Sequence, residues 1–110
     1  MINGYNILIN WIDYIMILPN DFNEQTKKAI KIAENLGWEL FLNKDLENLI
    51  YFFKDNKYAV CVYKNDVING IKEEIDTKTS KNYIATYGWD EYSESYISHL
   101  TELLEAMKRN

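Results

Sequence analysis

The sequence WDEYSESYISHLTELLEAMKRN, residues 89–110, decides the fold at the end of the chain because it sorts apolar and acidic side chains onto opposite sides of one helix. Apolar residues recur there at steps of three and four, which form one stripe on a helix with about 3.6 residues per turn. The stripe consists of Trp89, Tyr92, Tyr96, Leu100, Leu103 and Met107. The polar residues on the opposite side, within an arc of roughly 80°, are Glu91, Glu94, Ser98, Glu102 and Glu105. We expect an amphipathic helix with a core-facing stripe and a displayed row of carboxylates.

Length and composition favour one folded domain over residues 1–110. Hydrophobic residues make up 47% and aromatic residues 15% of the chain, a mixture too apolar for intrinsic disorder. Cys61 is the only cysteine, so no internal disulfide forms and a reducing compartment is expected. The sequence contains neither a secretory signal nor an apolar run of about 20 residues that would span a bilayer. A cytoplasmic location is the resulting prediction.

The negative charge is concentrated in the second half of the chain. The formal net charge is −5; residues 1–65 carry eight acids and seven lysines, whereas residues 66–107 carry nine acids and three lysines. Lys108 and Arg109 close the chain. Such a field opposes direct binding to nucleic acid or to anionic membranes, and it favours a protein partner with a basic surface.

Two helices are predicted at the N-terminus. In residues 5–18 the apolar sequence is interrupted at helical spacing, and Pro19 ends the segment. The polar positions at this spacing are Asn3, Asn6, Asn10 and Asp13. A helix with so many apolar residues either lies at the centre of the core or forms part of a dimer interface. We favour a position in the core. Asp21 and Glu24 have the form of a capping box for the second helix, which Gly37 ends.

The pattern changes after Gly37 to runs that are rich in aromatic and β-branched residues. Residues 38–42, 49–53 and 58–63 are predicted strands, with residues 54–57 as a hairpin turn between the last two.

The rest of the predicted sheet follows a second turn at Asn69-Gly70. Residues 71–76 fit either a strand or a short helix, and residues 83–87 are a predicted strand. The expected fold class is therefore α+β: two N-terminal helices, an antiparallel meander of four to five strands, and a C-terminal amphipathic helix packed on the sheet.

Few residues offer catalytic or metal chemistry. His99 is the only histidine, and with Glu102 it supplies two ligands where zinc needs three or four, so we expect a boundary histidine packed against the sheet. Cys61 lies between Val60 and Val62 and is predicted to be a small core residue. No phosphate-binding glycine motif occurs, and the acids at residues 73–76 are expected to be solvated. The sequence predicts no catalytic residue, no metal and no cofactor.

The leading functional hypothesis is a non-enzymatic inhibitor that covers the basic substrate site of a larger, nucleic-acid-binding partner. The candidate partner-binding residues are Glu91, Glu94, Glu102, Glu105, Trp89 and Tyr92. Carboxylates there would stand in for phosphates, and Tyr and Trp are frequent binding anchors.

In size, charge and lack of motifs the chain resembles phage and plasmid accessory proteins, including anti-CRISPR inhibitors of defence nucleases, antitoxins and immunity proteins. The alternatives are a homodimeric structural or regulatory module, joined through the N-terminal helix, and a small enzyme that uses His99.

Overall fold

The chain folds as an α+β structure, and the computed structural model describes residues 6–9, 22–43 and 45–109, the first range by its backbone alone. In chain order the elements are β1 (Asn6–Ile9), α1 (Glu24–Asn35), β2 (Trp38–Asn43), β3 (Leu49–Lys54), β4 (Tyr58–Tyr63), α2 (Val67–Lys78), α3 (Lys81–Tyr87) and α4 (Glu91–Lys108). None of the helices in these ranges is long and apolar enough to cross a lipid bilayer.

Three consecutive strands form an antiparallel meander, and β1 extends it along the outer edge of β2. This confirms the three strands predicted between residues 38 and 63. Alternation of side chains gives the sheet a buried inner face, made by Trp38, Leu40, Ile50, Phe52, Tyr58, Val60 and Val62. Asp55 and Asn56 join β3 to β4 with φ of 57° and 54°, as a type I′ hairpin turn requires.

The helices close the core from the inner side of the sheet. α1 packs on β2 and α2 packs on β4, while α4 lies across both helices. The predicted stripe of α4 is buried at Tyr96, Leu100, Leu103 and Met107. Burying a leucine or methionine side chain contributes about 1.5–3 kcal/mol each, so these four positions fix α4 in place.

α1 ends where the sequence predicted, but its N-terminal cap is a different residue. Gly37 has φ of +88° and follows the Leu36 C-cap, as expected. At the other end the cap is Asn23, whose side chain accepts from the Thr26 amide at 2.8 Å, and not the predicted box of Asp21 with Glu24. The Thr26 hydroxyl is buried and in turn accepts from the Asn65 amide at 2.8 Å, which ties α1 to the loop after β4.

The helix predicted over residues 5–18 is wrong at its start, because Asn6–Ile9 is a strand. Its four residues pair with Leu40 to Asn43 of β2, in a register that sets Ile9 opposite Leu40. Four polar positions at helical spacing were a weak signal beside the open backbone edge of β2, which only an extended segment can pair. The rest of that predicted helix lies outside the described residues, and the homodimer through it stays a prediction.

Two predictions after β4 are also wrong. Asn69 and Gly70 lie inside helix α2 and form no turn, and residues 71–76 take the helical alternative. Residues 83–87 belong to helix α3 and not to a fifth strand, since the Ser80 side chain caps a helix by accepting from the Tyr83 amide. Gly70 is tolerated in the helix because α2 approaches β4 closely there: a Cβ on Gly70 would lie 2.7 Å from Val62 Cγ1.

Replacing Gly70 by alanine should therefore lower the free energy of unfolding by about 1–3 kcal/mol, the usual cost of overpacking. Helix propensity alone predicts the opposite sign, a gain of up to about 1 kcal/mol. Urea unfolding measures the difference. In a double-mutant cycle with Val62→Ala, the double variant should lose less stability than the sum of the two single losses, because Val62 Cγ1 is gone and only the Cβ at 2.8 Å remains in close contact. A more stable Gly70→Ala variant would show that α2 and β4 are not in close contact.

Candidate functional site

Exposed aromatic side chains cluster at the junction of α3 and α4. Tyr87 is 72% exposed, Trp89 40% and Tyr92 44%. They are three of the five large hydrophobic residues that are well exposed in the described part of the chain, the others being Leu46 and Tyr63. Because these three lie within six residues of sequence, we call them the aromatic cluster. Trp89 and Tyr92 were predicted in the apolar stripe of α4, but only the later part of that stripe is buried.

A cleft of about 190 Å³ opens beside this cluster, between α2, α3 and the start of α4. Its walls include Glu74, Lys78, Tyr83, Trp89, Tyr92 and Tyr96. Gly88, with φ of 83°, ends α3 and turns the chain, so that Trp89 reaches the cleft ahead of α4. Asp90 then caps α4 by accepting from the Ser93 amide at 2.8 Å, and this backbone hydrogen bond lowers the pKa of the Asp90 carboxyl.

Tyr96 forms the inner end of the cleft and connects three elements. Its hydroxyl lies 2.7 Å from Glu74 Oε2 on α2 and 3.0 Å from the carbonyl oxygen of Ala59 on β4, so one phenol proton serves two acceptors. Burial raises the pKa of Tyr96 well above its usual value, and the neighbouring Glu74 carboxylate raises it further. The phenol therefore remains a neutral hydrogen-bond donor at physiological pH.

Lys78 supplies a cation at the rim of the same cleft. Its Nζ donates to the Tyr83 hydroxyl at 3.0 Å and lies 4.0 Å from Glu74 Oε2. The hydrogen bond to Tyr83 raises the pKa of Lys78, so the ammonium stays charged. The ring of Tyr83 also contacts that of Tyr87 in a tilted arrangement, with ring centroids 4.5 Å apart. The cleft thus combines aromatic surface, one carboxylate and one lysine.

Tyr92 forms part of the outer wall of the cleft. Its hydroxyl donates to the Lys57 carbonyl at 3.0 Å, and its ring centroid lies 5.3 Å from that of Tyr58 and 6.1 Å from that of Tyr96. Both phenols of α4 therefore bind carbonyl groups along β4 or its preceding turn, which partly covers this edge of the sheet. These contacts hold the exposed ring of Tyr92 in position.

The six predicted partner-binding residues divide into two groups. Trp89 and Tyr92 line the cleft, whereas the four glutamates do not. All four are exposed on the side of α4 away from the buried stripe, as their spacing predicted. They are Glu91, Glu94, Glu102 and Glu105, and we call them the acidic face. Glu105 lies 3.9 Å from Lys108, an exposed pair of little energetic weight.

The two residues considered for chemistry lie away from the cleft walls. His99 is half-buried with its ring centroid 5.0 Å from that of Tyr58, as the boundary interpretation predicted. Cys61 was predicted in the core but is exposed, because Val60 and Val62 take the inner face of β4 and leave the residue between them outside. Loss of hydration raises the pKa of the Cys61 thiol. Residues 22–43 and 45–109 contain no group of three His, Cys, Asp or Glu side chains placed to hold a metal ion.

Sequence reasoning missed the contribution of α2 to the site. Glu74 was expected to be a solvated acid and Lys78 carried no role, yet both side chains are about two-thirds buried, being 29% and 32% exposed. Their spacing of four residues is a usable signal once α2 is known to be a helix.

No known protein family, curated protein or solved structure shows a significant match to this chain.

Replacing Tyr96 by phenylalanine should destabilise the fold by about 1–3 kcal/mol, since Glu74 and the Ala59 carbonyl lose their shared donor. Tyr63→Phe is the matched control, because that tyrosine is 65% exposed on β4 and should change stability by less than about 0.5 kcal/mol. Chemical denaturation of both variants gives the comparison. Equal effects at the two positions would mean that the Tyr96 hydroxyl contributes nothing.

Proposed function

We propose that this chain is a non-enzymatic binding protein that covers the basic surface of a larger, nucleic-acid-binding protein, such as a defence nuclease or a toxin. The observation that carries the proposal is the aromatic cluster of Tyr87, Trp89 and Tyr92, three large rings that stay exposed within six residues of one another. Large apolar side chains that are exposed close together are typical of interaction sites. Tyr and Trp are also the residue types most enriched among binding hot spots.

Two rings of the cluster have contacts within the chain that restrict their motion, which favours tight binding. The hydroxyl of Tyr92 is hydrogen-bonded to the Lys57 carbonyl, and the ring of Tyr87 lies in tilted contact with that of Tyr83. Rings that are already ordered lose little conformational freedom when a partner covers them. Preorganised aromatic anchors therefore contribute more affinity per unit area than mobile surface side chains.

The surrounding charge favours a cationic partner. Asp90, Glu91 and Glu94 follow directly on Trp89, and the acidic face continues along α4 to Glu105. Residues 66–107, which contain the whole cleft except Ala59, carry nine acids against three lysines. Complementary potentials accelerate encounter and discourage partners of the same sign. The aromatic cluster would anchor the complex, and the acidic face would attract and orient the partner.

Affinity capture from a lysate of the encoding organism tests the proposal with three immobilised proteins: the wild type, Trp89→Ala and Tyr63→Ala. The wild type and the Tyr63 control should retain the same basic protein, identified by mass spectrometry. Trp89→Ala should lose at least about thirtyfold in affinity, which matches a hot-spot loss of about 2 kcal/mol. Retention of that protein by Trp89→Ala at wild-type affinity would contradict the proposal, as would its loss from Tyr63→Ala.

The acidic face is tested with the same captured partner. A variant with glutamine at Glu91, Glu94, Glu102 and Glu105 should associate more slowly and with weaker salt dependence, while its dissociation rate stays close to that of the wild type. Trp89→Ala should instead dissociate faster. If neutralising the four glutamates left the association rate and its salt dependence unchanged, the acidic face would have no part in recognition.

A further inference from the structure

The cleft beside the aromatic cluster has the size of a receptor for one side chain. Its volume is about 190 Å³. A typical small-molecule site is larger, at about 300–1,000 Å³. The cleft exceeds the roughly 150 Å³ that accommodates a benzene-sized ligand. The end of one long amino-acid side chain fits this volume.

The chemistry of the walls suits a cation. Trp89, Tyr92 and Tyr83 present aromatic surface, and the Glu74 carboxylate lies among them. Ring faces attract cations, most strongly when water is partly excluded. The cleft already contains an ammonium group of the chain itself, because Lys78 Nζ lies 4.7 Å from the Tyr83 ring centroid and 4.0 Å from Glu74 Oε2.

Lys78 is held by Tyr83 and only weakly by Glu74. Its Nζ donates to the Tyr83 hydroxyl at 3.0 Å, whereas the separation of 4.0 Å from Glu74 Oε2 is long for a charge-assisted hydrogen bond, which is about 2.7–2.9 Å between nitrogen and carboxylate oxygen. The Lys78 side chain is also 32% exposed, so its ammonium can move toward water without crossing the core. Glu74 keeps the hydrogen bond from Tyr96, which holds the carboxylate in position when Lys78 leaves.

We propose that the cleft receives one arginine side chain of the basic partner, with its guanidinium stacked against Trp89 and Tyr92 and paired with Glu74 in place of Lys78. This inference rests on the proposed function and specifies how that partner is recognised. Arginine is favoured over lysine because its planar guanidinium stacks on rings, gives up hydration more readily and presents a fork of donors to a carboxylate. A bound anion facing Lys78 is the opposite interpretation, and the acidic surroundings of Asp90, Glu91 and Glu94 disfavour it.

Titration of the ¹⁵N-labelled protein with capped tripeptides tests the proposal directly. The probes are acetyl-Gly-Arg-Gly-amide, its lysine counterpart and its glutamate counterpart. The arginine peptide should shift the Trp89 indole N–H and the amides of the cleft, with a dissociation constant lower than that of the lysine peptide. Binding of the glutamate peptide at the cleft in preference to arginine would overturn the proposal, as would shifts confined to other surfaces.

Three variants assign the interaction to its residues. Glu74→Gln should weaken binding of the arginine peptide by at least about threefold, the effect of losing a partly exposed ion pair. Lys78→Met should strengthen it, because the competing ammonium is removed. Glu73→Gln, which changes the charge by the same amount at an exposed position outside the cleft and outside the acidic face, should leave it nearly unchanged. Equal losses in Glu74→Gln and Glu73→Gln would reduce the effect to net charge and contradict the pairing.

The outcome is separable from that of the proposed function. Partner capture that depends on Trp89, combined with no arginine binding in the cleft, would overturn this inference and leave the binding function standing. If arginine bound in the cleft but partner capture did not depend on Trp89, the proposed binding function would be overturned and the arginine site would stand. The amide spectra recorded in the titration also show whether each variant is folded.

Discussion

The hydroxyl group of Tyr96 is the contact on which the arrangement of the second half of the chain depends. A single phenol from α4 reaches both the Glu74 carboxylate on α2 and the Ala59 carbonyl on β4, and it is buried at the place where these elements meet. Hydrophobic burial of Leu100, Leu103 and Met107 holds α4 on the core, but it is non-directional. The polar contact sets where along α2 and β4 the helix comes to rest.

The site follows from that placement. Once Tyr96 is fixed, the residues one turn earlier extend past the edge of the core, and Tyr92 reaches the Lys57 carbonyl while its ring stays exposed. Gly88 turns the chain just before Trp89, so the tryptophan lies over the cleft and not within the core. Glu74 has two roles as a result: it accepts the Tyr96 hydrogen bond inside the structure and presents charge to the cleft.

The sequence predicted the elements whose signal is local. Strands β2 to β4 combine alternating buried and outward-facing side chains with aromatic and β-branched residues. Gly37 marks a helix end because glycine readily adopts the positive φ that this position requires. The same alternation, followed through Val60 and Val62, would have placed Cys61 outside. β1 was missed because its partner is an edge 30 residues or more along the chain, which periodicity in its own short segment cannot reveal. α3 buries no residue, so it carries no amphipathic signal, and its tyrosines favoured a strand.

Only the part of the candidate site that lies on one segment of sequence could be predicted. Trp89, Tyr92 and the acidic face lie on one continuous segment, whereas Glu74 and Lys78 join them only through the packing of α2 against α4.

The most direct test of this account is the ionisation of Tyr96 itself. In protein labelled with ¹³C at the tyrosine Cζ atoms, the reference is a tyrosine in an unfolded peptide, which titrates at a pKa of about 10. Tyr96 should remain protonated through that range, because burial and the Glu74 carboxylate both raise its pKa. Its contribution to stability is then present below the pKa of an unfolded tyrosine and is lost only as the pH rises toward the higher folded value. If Tyr96 titrated like a tyrosine in an unfolded peptide, the phenol would not be buried between α2, β4 and α4, and the contact of its hydroxyl with Glu74 and Ala59 would not exist.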